Sequence, residues 1–202
     1  MKKTAEVLVF RLAVVFRRLL RFGSFPVCWR LVNVTPIPKG RPSSSASNYR
    51  PISLTPILSK VFEHLVSVSP TRSMECRGVL PTTQLAYRKG LGTCDALLCV
   101  AHTVQNALVI RQEARIVQID FSATLDRVNH QGILFKLCSV GVRGSVLSVL
   151  TQFLSNRSQC VVVDGCHSKL VNMVSGEPQG SDLGPQFLSY TAELFSIVEN
   201  KL

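Results

Sequence analysis

Acidic side chains are scarce in this sequence of 202 residues, where 12 Asp and Glu stand against 23 Lys and Arg and give a formal net charge of +11. The shortage is confined to residues 1–100, which hold 15 basic and 4 acidic side chains, whereas residues 101–202 hold 8 of each. An acidic partner such as nucleic acid or an anionic membrane is therefore the first expectation. Because 46% of the residues are hydrophobic, a disordered tail is excluded, and the length fits one globular domain or an incomplete piece of a larger one.

A long uninterrupted apolar run is also missing. The most apolar stretch near the N-terminus, residues 5–20, contains Arg11, Arg17 and Arg18, so it falls short of the ~20 apolar residues that span a bilayer. Two interpretations of this stretch stay open. Its Arg-rich, acid-poor composition resembles a mitochondrial presequence, and its apolar spacing is equally typical of an amphipathic helix with a basic outer face. We expect no membrane partner.

The seven cysteines have no repeated spacing and are odd in number, which argues against a disulfide framework. A reducing, intracellular compartment, nuclear or cytoplasmic, is the matching expectation. Cys94 with Cys99, and Cys160 with Cys166 and His167, are candidate zinc half-sites. They lack the short CxxC spacing of zinc knuckles, so small buried apolar residues are the alternative. The four histidines form no metal or proton-relay spacing, and we interpret them as structural or surface residues.

Apolar periodicity predicts several helices. One covers residues 7–22 and ends at Gly23, and another covers residues 94–110. Asn129 is a candidate cap for a helix over residues 133–138 that stops near Gly141, and Ser145 for one that runs through Leu154. A further helix is predicted from Gln186.

Strands are predicted between these helices. Residues 29–38 contain Pro36 and Pro38, which indicates an edge strand and excludes a central one. A polar loop over residues 40–48, which we expect to be mobile, follows it. The β-branched run over residues 115–119 predicts a buried strand that ends at Asp120. Residues 159–163 and 169–174 predict a hairpin that turns near Asp164 and Gly165. The fold class is therefore α/β or α+β.

Four short motifs stand in a defined order along the chain. They are NYRPISL at 48–54, QLAYR at 84–88, DFSATLDRVNH at 120–130 and PQGS at 178–181. Each is a weak signal alone, since a strand-end Asp or a Pro/Gly turn is common. Together, in this order and at these intervals, they resemble the successive motifs of reverse transcriptases of non-LTR retrotransposons, the jockey-like elements in particular. The resemblance runs from about Phe25 to the C-terminus.

The resemblance implies the fold of a right-hand polymerase, with fingers and an incomplete palm. Lys39 and Arg50 match the finger positions that grip the triphosphate of an incoming deoxynucleotide, where Lys supplies a point charge and Arg a bidentate fork. Gln179 matches a loop glutamine that contacts the nucleotide and the template base, and Gly180 lets the backbone come close. Arg88 matches a position that touches template phosphates.

The resemblance also implies a metal-dependent reaction. Asp120 matches the first metal-binding, catalytic carboxylate of the palm, where two Mg2+ ions activate the primer hydroxyl and neutralise the leaving pyrophosphate. Asp126 matches the family pattern as a structural acid rather than a ligand. The implied partners are an RNA template, a DNA primer and deoxynucleoside triphosphates.

Several features depart from the family pattern. Two-metal catalysis needs further carboxylates, which the family supplies from a Tyr-x-Asp-Asp hairpin, and neither this hairpin nor a thumb follows here. Leu125 stands where an aromatic ring usually contacts the sugar, which puts discrimination against ribonucleotides in doubt. Glu177 and Asp182 occupy normally apolar positions on either side of Gln179, where negative charge is expected to repel a triphosphate.

The resulting hypothesis is a C-terminally truncated fragment of an RNA-directed DNA polymerase that is inactive by itself and whose partner is the missing C-terminal part. Its expected regions are a basic helix at 1–24, fingers at 25–110 and a partial palm at 111–202. One alternative is a non-catalytic remnant that binds nucleic acid through phosphates. The other is a translated relic without a stable fold, since a palm lacking its central hairpin leaves a strand unpaired.

Overall fold

The structure, a computed structural model, describes residues 2–41, 44–120, 125–187 and 189. The described residues form a mixed α/β fold, as predicted. The helices are α1 (Lys2–Phe22), α2 (Ile57–Cys76), α3 (Thr93–Val109), α4 (His130–Ser139) and α5 (Gly144–Leu154). The strands are β1 (Leu31–Pro38), β2 (Tyr49–Leu54), β3 (Arg157–Val163), β4 (Cys166–His167) and β5 (Val171–Met173). Contacts divide the chain into one unit made of Met1–Val79 with Thr124–Leu202, and a second unit, Leu80–Ala123.

One five-stranded sheet lies in the first unit, with strand order β2-β1-β3-β4, and β5 also pairs with β3. β1 runs antiparallel to β2 and parallel to β3, so the prediction that β1 is an edge strand is wrong. The reason lies in the register. β3 pairs only with residues 31–34 of β1, whereas Pro36 and Pro38 lie beyond that ladder, and Pro36 faces Pro51 across the β1–β2 pair. The missing backbone N–H groups of the two prolines therefore do not interrupt the hydrogen bonds between β1 and β3.

Local signals set the ends of most helices. α1 ends where predicted, because Gly23 takes a φ of 61° and the N–H groups of Gly23 and Ser24 bond the carbonyls of Leu20 and Leu19. α4 begins after Asn129, whose side chain accepts a hydrogen bond from the Gly132 N–H at 2.9 Å. For α5 the predicted Ser145 cap is wrong, because the helix begins one residue earlier, at Gly144, and has no side-chain cap.

An aromatic cluster forms the core of the first unit. The rings of Phe16 and Phe62 lie 5.4 Å apart, as do those of Phe25 and Phe153, and the latter pair meets edge to face. These four side chains come from α1, α2, α5 and the segment before β1, and all are at most 5% exposed. One face of α2 is therefore buried, and this face positions the loop described below.

The second unit contains α3, which confirms the helix predicted over residues 94–110. The predicted strand that ends at Asp120 is wrong. Residues 112–120 have no regular secondary structure, and Ile116, Val117 and Ile119 are mostly exposed. A β-branched run needs a neighbouring strand for its backbone hydrogen bonds, and no described strand pairs with this segment.

The predicted hairpin turn near Asp164 and Gly165 is confirmed, and its returning strand, predicted over residues 169–174, is divided into β4 and β5, which both pair with β3. Both residues have positive φ, 49° and 77°, and join β3 to β4 in a two-residue turn. A 3-10 turn, Gly184–Phe187, stands where a helix was predicted from Gln186, and most of that predicted helix lies outside the described residues. Among the described helices, none is long and apolar enough to cross a membrane.

Candidate functional site

The β1–β2 hairpin brings Lys39 and Arg50 to one end of the sheet. Arg50 pairs with Ile37, and the Lys39 N–H extends the ladder with a 2.8 Å bond to the Asn48 carbonyl. Since side chains two residues apart share a face, Lys39 and Arg50 are diagonal neighbours on the same face. Both side chains are exposed, and Lys39 Nζ donates to the Ser47 carbonyl at 2.9 Å.

A glycine fixes the loop that contains Gln179. Gly176 has a φ of 80°, and a Cβ at this position would lie 2.6 Å from the backbone oxygen of Asp126. The Gly176 N–H bonds the Val128 carbonyl at 2.9 Å, and His130 Nε2 donates to the Gly176 carbonyl at 2.7 Å. The start of this loop therefore packs against the turn before α4.

Gln179 itself lies between that turn and β2. Its Nε2 donates to Asp126 Oδ1 at 3.2 Å, and its backbone carbonyl accepts from the Ser53 N–H at 3.0 Å. Gly180 follows with a φ of 102°, a conformation that L side chains rarely adopt. A cavity of about 350 Å³ opens here, and its lining includes Pro51, Ser53, Asp126, Glu177 and Gln179. The loop, β2 and the Asp126 turn thus surround one concave surface.

Glu177 lies beneath this surface and is only 5% exposed. Its pKa is raised to about 8, mainly by burial and also by the nearby charge of Glu63, while Arg157 opposes the shift. Its Oε2 has no hydrogen-bond partner among the described residues. Glu177 is therefore largely protonated at neutral pH, which reduces the cost of burying it.

Arg157 is the buried cation of this region, at 1% exposure. One of its guanidinium nitrogens donates to the Phe153 carbonyl at 3.0 Å, and the group lies 4.5 Å from the centre of the Phe153 ring. The pKa of Arg157 is lowered to about 10, because the effect of burial exceeds the opposing effect of the charges of Glu63 and Glu177. It is a structural residue at the start of β3.

Helix α2 holds the far end of the Gln179 loop at two points. Ser181 donates to Glu63, and His64 Nδ1 lies 3.2 Å from Asp182 Oδ2 in an exposed pair. The two acids that flank Gln179 in sequence thus have different surroundings, one buried and the other beside an imidazole. Whether they repel a triphosphate stays a prediction.

Three predicted site residues remain. Asp120 and Arg88 belong to the second unit, where Asp120 is exposed and Arg88 donates to the carbonyls of Pro81 and Gln84 at 3.2 and 3.4 Å. The side chain of Leu125 lies outside the described part of the structure. Their predicted roles stay predictions.

All seven cysteines are free, in agreement with the absence of a disulfide framework. Cys160 is buried, with its sulfur 3.6 Å from His167 Nδ1, whereas Cys94, Cys99 and Cys166 are exposed. The small-buried-residue interpretation thus holds for Cys160 and is wrong for the other three. Within the described ranges no group of three or more His, Cys, Asp or Glu side chains is arranged to hold a metal ion.

Sequence reasoning missed two residues that shape this site, Glu63 and Arg157. For Glu63 a signal exists, because it lies on the helical face that carries Ser59, Phe62, Val66 and Pro70, all buried, and an acid on such a face needs partners. For Arg157 the sequence offers no such signal. Its burial depends on Phe25, which is distant along the chain.

Comparisons with known proteins identify the family of the chain. The model of the reverse transcriptase (RNA-dependent DNA polymerase) family matches residues 37–201. The chain is 32% identical over 178 residues to a probable RNA-directed DNA polymerase from transposon X-element of Drosophila melanogaster, covering 88% of this chain and 20% of that relative. It is 32% identical over 185 residues to the RNA-directed DNA polymerase from mobile element jockey of Drosophila funebris, covering 91% and 20%.

The chain therefore belongs to the reverse transcriptase family, and its domain is that of non-LTR retrotransposon polymerases. The prediction from its four sequence motifs is confirmed at this level. The chain spans about a fifth of the length of the curated relatives it matches.

Proposed function

We propose that this chain forms the nucleotide-binding part of an RNA-directed DNA polymerase that transfers deoxynucleotides to a primer on an RNA template. The observation that carries the proposal is the joining of the basic hairpin to the Gln179 loop. Lys39 and Arg50 share one face of the β1–β2 hairpin, and Ser53 of β2 bonds the Gln179 carbonyl. The hairpin supplies the cationic donors that a triphosphate needs, and the loop with the glutamine that would contact the nucleotide is bonded to a strand of the same hairpin.

Asp120 is the proposed first ligand of the catalytic Mg2+ ions in the assembled polymerase. An exposed carboxylate suits a hard cation, but a single one does not hold two divalent ions against water. Since the described residues contain no group of three potential ligands, they do not by themselves fit a complete two-metal site. When bound, such ions would activate the primer hydroxyl, and the further carboxylates would have to come from outside the described residues.

The boundaries of the regions and the roles of the other site residues are proposed from the resemblance to the family. The fingers are residues 25–110 and the partial palm residues 111–202, after the basic helix at 1–24. Leu125 would contact the sugar of the incoming nucleotide, Gly180 would allow close approach, and Arg88 would contact template phosphates. A Tyr-x-Asp-Asp sequence does not occur in these 202 residues. We therefore expect no primer extension by this chain alone with Mg2+ and deoxynucleotides.

The test is triphosphate binding measured by calorimetry with Mg2+ and a deoxynucleoside triphosphate. Arg50→Gln should weaken binding by about tenfold or more, since a charged hydrogen bond to phosphate contributes about 1.5–3 kcal/mol. The matched control is Arg41→Gln, which removes the same charge from another exposed position of the same hairpin. Equal losses of affinity in the two variants would show that Arg50 contributes no more than any positive charge on the hairpin. This result would reject the proposal.

A second candidate function is nucleic-acid binding without catalysis. It is favoured by the net charge of +11, all of which resides in residues 1–100. Arg17, Arg18 and Arg21, which line one groove on α1, would contribute phosphate contacts. Binding to an RNA–DNA hybrid should then be independent of sequence and should weaken steeply between low and physiological salt. Affinity that is insensitive to salt would exclude this function.

A further inference from the structure

Asp126 and Gln179 are 53 positions apart in the chain, yet their side chains are joined by a hydrogen bond. Gln179 Nε2 donates to Asp126 Oδ1 at 3.2 Å. The family resemblance treats Asp126 as a structural acid and Gln179 as a nucleotide contact. The hydrogen bond connects the two roles and lies at the wall of the cavity that both residues line.

The chemistry of this pair makes the contact directional. A glutamine carboxamide has a donating NH2 end and an accepting oxygen, and a half-turn about its last bond exchanges them at little cost. A carboxylate only accepts hydrogen bonds. Asp126 therefore selects the orientation in which the Gln179 NH2 faces it, which leaves the Oε1 atom and the second N–H for a ligand.

Asp126 is itself held to the loop that it would orient. Ser175 Oγ donates to the Asp126 carbonyl at 3.2 Å, and the close approach of Gly176 leaves no room for a Cβ against the Asp126 backbone. The acceptor and the loop that carries Gln179 are thus fixed to each other at two further points. A bond between two partly exposed side chains becomes geometrically defined when both backbones are fixed in this way.

We propose that Asp126 is a positioning residue that sets the orientation of the Gln179 carboxamide for the incoming nucleotide. This inference rests on the proposed function, because the ligand is the deoxynucleotide assigned there. Asp126 acts through Gln179 and does not touch the reacting atoms. Its loss should therefore weaken nucleotide binding only while Gln179 is present.

The first measurement is made without nucleotide. In the full chain labelled with 15N-glutamine, Gln179→Leu identifies the side-chain amide signals of Gln179. In the wild type one of the two amide protons should exchange with water more slowly than the other. Asp126→Ala should remove this difference, whereas Asp126→Glu, which keeps the carboxylate, should retain part of it. Unchanged Gln179 signals in Asp126→Ala would overturn the inference.

The second measurement is a double-mutant cycle on the affinity for a deoxynucleoside triphosphate with Mg2+. Asp126→Asn and Gln179→Ala should each weaken binding about three- to tenfold, and the double variant should bind no worse than Gln179→Ala alone. The matched control is Asp164→Asn, which removes another carboxylate from an exposed turn of the same unit. It should change the affinity less than twofold.

The outcomes separate the two proposals. No binding by the wild-type chain rejects the proposed function, and the positioning role falls with it. Binding by the wild type with additive losses in the cycle rejects the positioning role alone. A thermal melt of each variant shows whether it is folded, and if Asp126→Asn does not fold, Asp126→Glu replaces it in the cycle with a smaller expected loss.

Discussion

The hydroxyl of Ser181 donates a hydrogen bond of 2.8 Å to Oε2 of Glu63, and this contact joins the Gln179 loop to α2. Ser59, one helical turn before Glu63, donates to its other oxygen at 2.5 Å. A carboxylate that is 0% exposed thus has a donor on each oxygen. The loop and the helix stabilise each other, because the helix acid needs a loop hydroxyl and the loop has a fixed point on the helix.

Replacing this hydroxyl should loosen the loop. We expect Ser181→Ala to lower the free energy of unfolding by about 1–2 kcal/mol, since Oε2 of Glu63 loses its donor while remaining buried. Urea denaturation measures the change, with the exposed Ser69→Ala of α2 as the control. A loss no larger than that of the control would mean that water satisfies Glu63 equally well.

The titration of Glu177 should make stability depend on pH. Its pKa is raised from 4.5 to about 8 in the folded chain, so its contribution is fully present below pH 4.5 and is lost as the pH rises through about 8. Glu177→Gln removes this titration. When the pH is raised from 5 to 8, the free energy of unfolding of the wild type should fall relative to that of the variant by at least about 2 kcal/mol.

Urea midpoints at the two pH values measure this effect. The control is Glu75→Gln, which makes the same substitution at an exposed acid of α2. Parallel curves for Glu177→Gln and the wild type would contradict the assignment of a protonated, buried carboxyl group.

Gly176 and Gly165 form a matched pair for testing the packing of the loop. Both have a φ near 80°, but a Cβ on Gly165 would meet nothing within 4 Å, whereas one on Gly176 would clash with the Asp126 backbone. Gly165→Ala should cost only backbone strain, about 1–2 kcal/mol. Gly176→Ala should cost about 3 kcal/mol or more. Similar thermal stabilities of the two variants would refute the close packing of residues 126 and 176.

The acids that flank Gln179 can be tested by nucleotide affinity. The sequence predicts that they repel a triphosphate, but Glu177 is largely protonated at neutral pH and Asp182 lies beside His64. We therefore expect Glu177→Val and Asp182→Val together to improve affinity less than about threefold at fixed Mg2+. A gain in affinity of tenfold or more would instead support the full repulsion that the sequence predicts.

The reactivity of the thiols provides a check of the burial pattern. Cys28, Cys76, Cys94, Cys99 and Cys166 are exposed and should react first with iodoacetamide in the native chain. Cys138 should follow, and Cys160 should react last. Mass spectrometry of timed samples gives the order, and early modification of Cys160 would contradict its burial in β3.

The sequence predicted correctly what neighbouring residues determine. The Asn129 cap, the end of α1 at Gly23 and the turn at Asp164 and Gly165 each depend on interactions within a few positions. The four motifs likewise predicted the family of the chain, which the family model confirms.

Predictions that depend on distant parts of the chain failed. Whether β1 is central depends on β3, more than 120 positions later, and the run before Asp120 lacks a described strand to pair with. The partners of Gln179 were missed for the same reason. Asp126 and Ser53 meet it only because the sheet, α2 and the turn before α4 pack together, and no periodicity in the sequence encodes those contacts.

The opposed prolines of β1 and β2 have a consequence for self-association. Pro36 faces Pro51, and two residues without N–H groups cannot exchange ladder hydrogen bonds, so their nitrogens point away from the seam of the hairpin. Pro38 has the same orientation as Pro36. Beyond the last residue paired with β3, the outer border of β1 thus lacks the donors at positions 36 and 38 that an incoming strand would need. The end of the β1–β2 hairpin that carries Lys39 and Arg50 is therefore a poor template for amyloid-like strand addition. This end of the hairpin can stay exposed without a third strand beside β1.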